Sequence, residues 1–350
     1  MTVRKFCCLV ALFFFSLVCP LQGAFALGRQ KAGPMTQQGV QLGSTCVPVD
    51  GVKDIFNGKK TSIVRVVCVL KPNHGGGDES NVKQVVAGTG FFVSDRAHVL
   101  TAASVVKNVQ MIWIDYMGIS YAAECIGADT QTNVAVLKLL HPPSEFGVID
   151  VAENDPRKLT EIGAFVVFVG CKLGMDPSPD LGIVCGKNIS YSDNAFPTTY
   201  LRTNLMFCGG ESGAPVFGLD GDLAGMMVVS LPEMAASFIL PKRALSKVFN
   251  GIVSSGAVRH AKIGIEVRAE PMLDSGQEII IAKVISESEA EKAGLRVGDR
   301  IRKVGDFEAH YKEDLHNALF FYGGGEFIDV VVDRDGKELS FHVKTECMVE

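Results

Sequence analysis

The segment CGGESGAPVF, Cys208 to Phe217, sets a serine between glycines, just after a strand-like run from Thr199 to Met206 and just before another. A tight glycine turn between two strands is how several hydrolases present a nucleophile. The chemistry that fits Ser212 is therefore attack on a carbonyl. A serine hydroxyl does this only when a neighbouring base takes its proton. The question set by this segment is which residue is the base.

The elements around Ser212 must position that base. From Ile63 to about Leu240 the chain reads as short β-runs, among them SIVRVVCVL, QVVAGTGFFV, HVLTA, QMIWID, VAVLKLL, AFVVFVG, GIVCG and LAGMMVVS. Val, Ile and Phe dominate them, and Gly, Asp, Asn and Pro mark their ends. Many strands without long helical patterns between them predict an all-β barrel or sandwich. PKRALSKVFNGIVSSG, Pro241 to Gly256, then predicts a helix, with Ala244, Val248 and Ile252 at helical spacing. A second unit runs from about Ala261 to Glu346. Its SEAEKAGL segment carries a capping box with Ser288 as N-cap and Glu291 three residues on. KEDLHNALFFY predicts another helix, and DRDGKE predicts a hairpin turn between the last two strands.

In order, GTGFF, HVLTAAS, GADTQTNVAVLKL, GGESGAP and the late capping-box unit resemble the HtrA (DegP-like) family of exported serine proteases. The resemblance spans about residues 60–345. It implies a mostly β fold, a trypsin-like double β-barrel followed by a small α+β PDZ domain. It also implies domain limits near 61–256 for the protease-like domain and 258–346 for the PDZ domain; the residues before them read as a signal peptide at 1–26 and an N-terminal arm at 27–60. In the family the base is a histidine in a TAAHVV-like segment; this chain has TAASVV, so Ser104 holds that position. The histidine is oriented by an aspartate in a TDVAVLKL-like segment; here it is TNVAVLKL, so Asn133 stands there. Ser212 keeps the nucleophile position, and the backbone N–H groups of Gly210 and Ser212 would form the oxyanion hole.

Ser212 thus lacks a base at the expected place. A serine cannot accept a proton near neutral pH, and an asparagine has no charge to stabilise an imidazolium. Removing the base from a Ser-His-Asp enzyme costs roughly a million-fold in turnover, as in subtilisin. About 10³–10⁴ over water would remain from binding and the oxyanion hole. His74, His98 and His141 are the other histidines of the barrel region. His74 lies in the KPNHGGGDES loop, and the resemblance implies that a loop of this region can fold over the site. Glu211 is bulkier than the residue usual before the nucleophile, and Ala214 replaces a glycine, so a strained oxyanion turn is expected.

In the second unit, AKIGIEV resembles a PDZ carboxylate loop and its following strand. Ile263, Gly264 and Ile265 would cup a chain-terminal carboxylate and pair with the incoming peptide by β-addition. Leu315 or Leu319 would line an apolar pocket, or simply fill the small core.

Composition bounds the rest. The chain has 350 residues, 47% of them hydrophobic, and a formal charge of −5, with no dense basic run, so nucleic acid is not an expected partner. Arg4 and Lys5, the apolar run FCCLVALFFFSLV and the small residues of AFA at 24–26 form an export signal, too short to span a bilayer comfortably. Residues 27 to about 60 lack periodicity and read as an extended arm. After cleavage, cysteines 46, 68, 125, 171, 185, 208 and 347 remain, at no zinc spacing. Cys171 and Cys185 would either bridge a hairpin or stay as free thiols. No metal or cofactor is expected. The reading is an exported protein of the periplasm or cell envelope, without proteolytic activity, that binds unfolded or C-terminal polypeptide segments; the family implies a homotrimer. The alternative is a serine endopeptidase of protein quality control that uses Ser212 with an atypical base.

Overall fold

Several strands of this chain are apolar at every position, and successive strand residues face opposite sides of a sheet. Such runs need cover on both faces, and the fold provides it. The structure is a computed structural model and describes residues 49–71, 84–153, 155, 157–191, 194–271 and 277–347. The export segment, most of the expected arm, Cys46 and His74 lie outside the described residues.

Helix α1 (Val49–Lys59) leads into the first barrel, made of β1 (Ile63–Leu70), β2 (Val85–Phe92), β3 (His98–Ala102), β4 (Val109–Tyr116), β5 (Ile119–Asp129) and β6 (Val134–Leu139). It closes in the order β1-β2-β3-β6-β5-β4. The second contains β7 (Phe165–Gly170), β8 (Ser178–Tyr191), β9 (Asn194–Thr203), β10 (Pro215–Gly218), β11 (Leu223–Leu231) and β12 (Ala236–Pro241). It closes as β10-β11-β12-β9-β8-β7. On β2, Phe92 fills the first barrel, while Phe91 joins a separate core outside it. On β7, Val166 and Phe168 fill the second barrel, while Val167 and Val169 enter that same separate core. This third core cements the barrels. Each large side chain fully buried in it contributes about 1.5–3 kcal/mol.

Helix α2 (Lys242–Ser255) runs between Pro241 and the left-handed Gly256, as its sequence predicts, and buries Ala244, Leu245, Val248 and Ile252 in the shared core. Helix α1 corrects the expectation of an extended arm up to residue 60. Val52, Ile55 and Phe56 fall on one face and pack on the same core, with Ile55 buried. Three apolar residues at helical spacing are enough once a core is there to receive them.

The second unit holds β13 (Ala261–Lys262), β14 (Ile265–Pro271), β15 (Gln277–Val284), α3 (Glu289–Ala293), β16 (Arg300–Val304) and β17 (Phe307–Glu308). It ends with α4 (Lys312–Phe320), β18 (Phe327–Arg334), β19 (Lys337–Lys344) and β20 (Glu346–Cys347). The main sheet runs β14-β15-β16-β18-β19. Ser288 caps α3 by accepting from the Glu291 N–H at 3.3 Å, and Asp335 and Gly336 both take positive φ in the β18–β19 turn. That pair of left-handed residues matches the turn read from DRDGKE. Val47–Glu350 form one compact unit, in which α4 packs against β9.

Candidate active site

Ser212 sits in the turn before β10, in the second barrel, and Ser104 in a 3-10 turn at Ala103–Val105 that follows β3 of the first. Glycine packing brings the two turns together. Gly213 has φ +88°, and a Cβ there would lie 2.5 Å from the Thr89 oxygen and 2.6 Å from the Ala102 nitrogen. Only a glycine lets the two backbones approach so closely. The Thr89 N–H donates to the Ser212 carbonyl at 3.0 Å, and a Cβ on Gly88 would meet both Val105 and the Ser212 oxygen.

Asn133 ties this region together. Its φ is +58°, a left-handed conformation that asparagine tolerates. Its Oδ1 accepts from the Ser104 backbone N–H at 2.8 Å, and its Nδ2 donates to the Val228 carbonyl at 2.8 Å. The backbone carbonyl of Asn133 also accepts from Ala103 N–H at 3.0 Å. One amide therefore spans the first barrel, the Ser104 turn and β11 of the second. Four residues back, Asp129 is buried, lies 3.0 Å from His260 Nε2 and accepts from the Thr132 hydroxyl at 2.6 Å. Burial works against its charge, but these hydrogen bonds hold its carboxyl below the usual range.

The Ser104 and Ser212 hydroxyls have no hydrogen-bond partner among the described residues. His98 is turned elsewhere: its Nδ1 lies 2.8 Å from Ser94 Oγ and its ring packs edge-on to Phe249. Burial pushes its pKa down. His141 is exposed. Cys171 and Cys185 are both free thiols, so the hairpin bridge between them does not form. Burial pushes the Cys171 thiol up to about 11.

The oxyanion turn departs from the strained geometry expected of it. Gly210 has φ +92°, and its carbonyl accepts from Thr89 Oγ1 at 2.7 Å. The Gly210 and Ser212 N–H groups have no acceptor among the described residues, so both are available. Ala214 is fully buried and keeps a negative φ; the left-handed step falls on Gly213 instead. Glu211 does not crowd the cleft, because its side chain folds inward and is fully buried. Sequence reasoning missed this inward fold, and also Thr89 on β2 and Lys172 in the 3-10 turn after β7, which reach the turn from elsewhere.

In the second unit β14 pairs with β15 alone among the described strands, leaving one edge open beside α4. The Gly264 N–H has no partner among the described residues. The side chains of Ile263 and Leu315 are buried in the core of the unit, and the Ile263 carbonyl accepts from the Ala290 N–H at 3.1 Å, so neither side chain lines an open pocket. Ile265 and Leu319 are partly exposed at that core's margin.

A closed double barrel with a serine turn in its cleft, followed by a sheet with an open edge beside a helix, defines a serine-peptidase fold joined to a peptide-binding module. The trypsin-like peptidase domain family matches residues 88–226, and the PDZ domain family matches residues 261–345. The chain carries a trypsin-like peptidase domain followed by a PDZ domain, and it is similar to DegP-like, HtrA-type proteins. It is 29% identical over 272 residues to a protein of Marinomonas sp. (strain MWYL1) named "Probable periplasmic serine endoprotease DegP-like", covering 74% of this chain and 56% of that one. A protein of the same name from Chlamydia muridarum (strain MoPn / Nigg) is 25% identical, over 78% of this chain and 56% of its own length. The chain thus spans about half the length of the curated relatives it matches. The fold resembles that of the HtrA-type protease AlgW with tripeptide, with a TM-score of 0.69 at 19% identity, over 85% of this chain and 98% of that one. It also resembles the serine endoprotease from Yersinia pestis, with a TM-score of 0.59 at 22% identity, over 85% and 98%.

Proposed function

We propose that this chain is a proteolytically inactive HtrA-type protein of the periplasm or cell envelope. It binds unfolded polypeptides or C-terminal peptides and acts as a chaperone, scaffold or regulator. One observation carries the reading. The Asn133 amide is engaged as both donor and acceptor, and the Ser104 turn hangs from it. A neutral amide stands at the position where a working triad needs a carboxylate, and no imidazole of the described residues bonds to it or to Ser212. The unoccupied N–H groups of Gly210 and Ser212 suit a polypeptide carbonyl that is held without being cleaved. In the PDZ unit, the free edge of β14 and the Gly264 N–H suit a peptide C-terminus. Export through the N-terminal signal and assembly as a homotrimer belong to the same proposal. Labelling with a fluorophosphonate tests it. The reading expects no adduct at Ser212; an adduct that Ser212→Ala abolishes would favour an endopeptidase with an atypical base.

A further inference from the structure

Glu211, next to the nucleophile position, is a carboxylate with no access to solvent. Its Oε2 accepts from the Cys208 backbone N–H at 2.6 Å. Its Oε1 is buried and has no hydrogen-bond partner among the described residues; the nearest cation is Lys172 Nζ, at 3.9 Å. Lys172 also pairs with Asp180 of β8 and opens the 3-10 turn Lys172–Gly174. The next residue of that turn, Leu173, donates its N–H to the Gly209 carbonyl at 2.7 Å. The segment from Cys208 to Glu211 is closed on itself by Glu211 N–H to Cys208 carbonyl at 3.3 Å. The carboxylate therefore grips the start of the oxyanion turn and reaches toward the loop that holds the peptide group between Gly209 and Gly210. A bare Cα at Gly170 makes the room, since a Cβ there would lie 3.2 Å from Glu211 Cγ.

We infer that Glu211 is a positioning residue: with Lys172, it braces the Cys208–Ser212 turn so that the Gly210 and Ser212 N–H groups stay pointed into the cleft. A buried charge held by one hydrogen bond and one distant cation is poorly compensated. Burial accordingly raises the Glu211 carboxyl, with the Cys208 N–H and Lys172 opposing and Asp180 adding to the rise. The titratable groups around it are Lys172 and Cys171 after β7, Asp180 on β8 and Cys208 on its own turn. A side chain that costs stability at this spot is kept for geometry rather than for folding. The role is independent of whether Ser212 is reactive.

Amide NMR of the exported chain tests the brace. In the wild type, the Gly210 and Ser212 amide signals should titrate together, with a midpoint above the ordinary carboxylate range. Glu211→Gln keeps an acceptor for the Cys208 N–H and should fold, yet it should abolish that titration. The same variant should be more stable than the wild type near neutral pH, with the gain shrinking toward acid, where the wild-type carboxyl is protonated in both states. Glu211→Ala, which removes the acceptor as well, should move both amides at every pH. Lys172→Met should raise the midpoint further. Persistence of the titration in Glu211→Gln, or unmoved amides in a folded Glu211→Ala, would overturn the inference.

Discussion

The carboxamide of Asn133 joins the Ser104 N–H to the Val228 carbonyl, each at 2.8 Å. An ionised aspartate can accept from the first but cannot donate to the second. The two hydrogen bonds thus suit an amide and not a carboxylate. Asn133→Asp alone should set a carboxylate against the Val228 oxygen and destabilise the protein by about 1–3 kcal/mol near neutral pH. The loss should ease toward acid, where a protonated carboxyl can donate. Denaturant unfolding at two pH values measures it. Ser104→His with Asn133→Asp should give weak casein hydrolysis, far below an intact enzyme, because the new carboxylate faces Val228 as well as the imidazole. Ser104→His alone should stay inert, since a histidine without its orienting charge is impaired about 10⁴-fold. Equal activity of the single and double variants would refute this account of Asn133.

The PDZ unit should bind peptides with free, apolar C-termini more tightly than their amides. A carboxylate can accept from the unpartnered Gly264 N–H, while the chain beyond it pairs with β14. Fluorescence anisotropy with matched acid and amide peptides decides the point. Equal affinities would exclude a carboxylate cup.

The two units are fastened by a buried polar contact. Asn317 Oδ1 on α4 accepts from Thr198 Oγ1 at 2.6 Å, Thr199 N–H at 3.1 Å and Arg243 Nη2 at 3.2 Å. Phe320, on the same face of α4, is buried in the core between the barrels. Asn317→Ala removes the shared acceptor of these three donors and should cost about 1–3 kcal/mol in thermal unfolding. A segment 258–350 made alone should expose Phe320 and be less stable than the same unit in the whole chain. An unchanged melting temperature for Asn317→Ala would show that the contact does not couple the units.

Lys247 on α2 supplies a pH signature at this junction. Its Nζ donates to the Phe320 carbonyl and, at 2.9 Å, to the Tyr322 carbonyl, and it lies 5.1 Å from the Phe320 ring centre. Burial lowers its pKa to about 8, against the pull of Glu326 and Asp129. An unfolded lysine titrates near ~10.4, so between these values the unfolded chain holds a proton that the folded chain has released. This group's contribution to stability should therefore rise from pH 8 to about 10.4. Lys247→Met should lack that rise, and unfolding free energies at pH 7.5 and 9.5 for both proteins would reveal it.

Strands such as AFVVFVG and VAVLKLL were legible because apolar residues dominate them and turn residues lie beyond their ends. Pro241, Gly256 and the Ser288 cap marked helix ends by local chemistry that needs no tertiary partner. Helix α1 was not legible, since Val52, Ile55 and Phe56 are diluted by polar neighbours and matter only against a core built from distant strands. β5, with the sequence ISYAAECIGAD, lacks a β-rich alternation and is a strand because β4 and β6 pair with it. At the site, the residue types at 104, 133 and 212 could be read from motif order. The Asn133 link to Val228, the inward fold of Glu211 and the burial of Asn317 each depend on partners that no local pattern announces.

The central claim is that Ser212 has no functioning base. The most direct measurement is degradation of an unfolded, casein-type substrate by the wild type beside Ser212→Ala. The account predicts equal, background-level loss of substrate for both proteins over prolonged incubation. Degradation by the wild type that disappears in Ser212→Ala would contradict it.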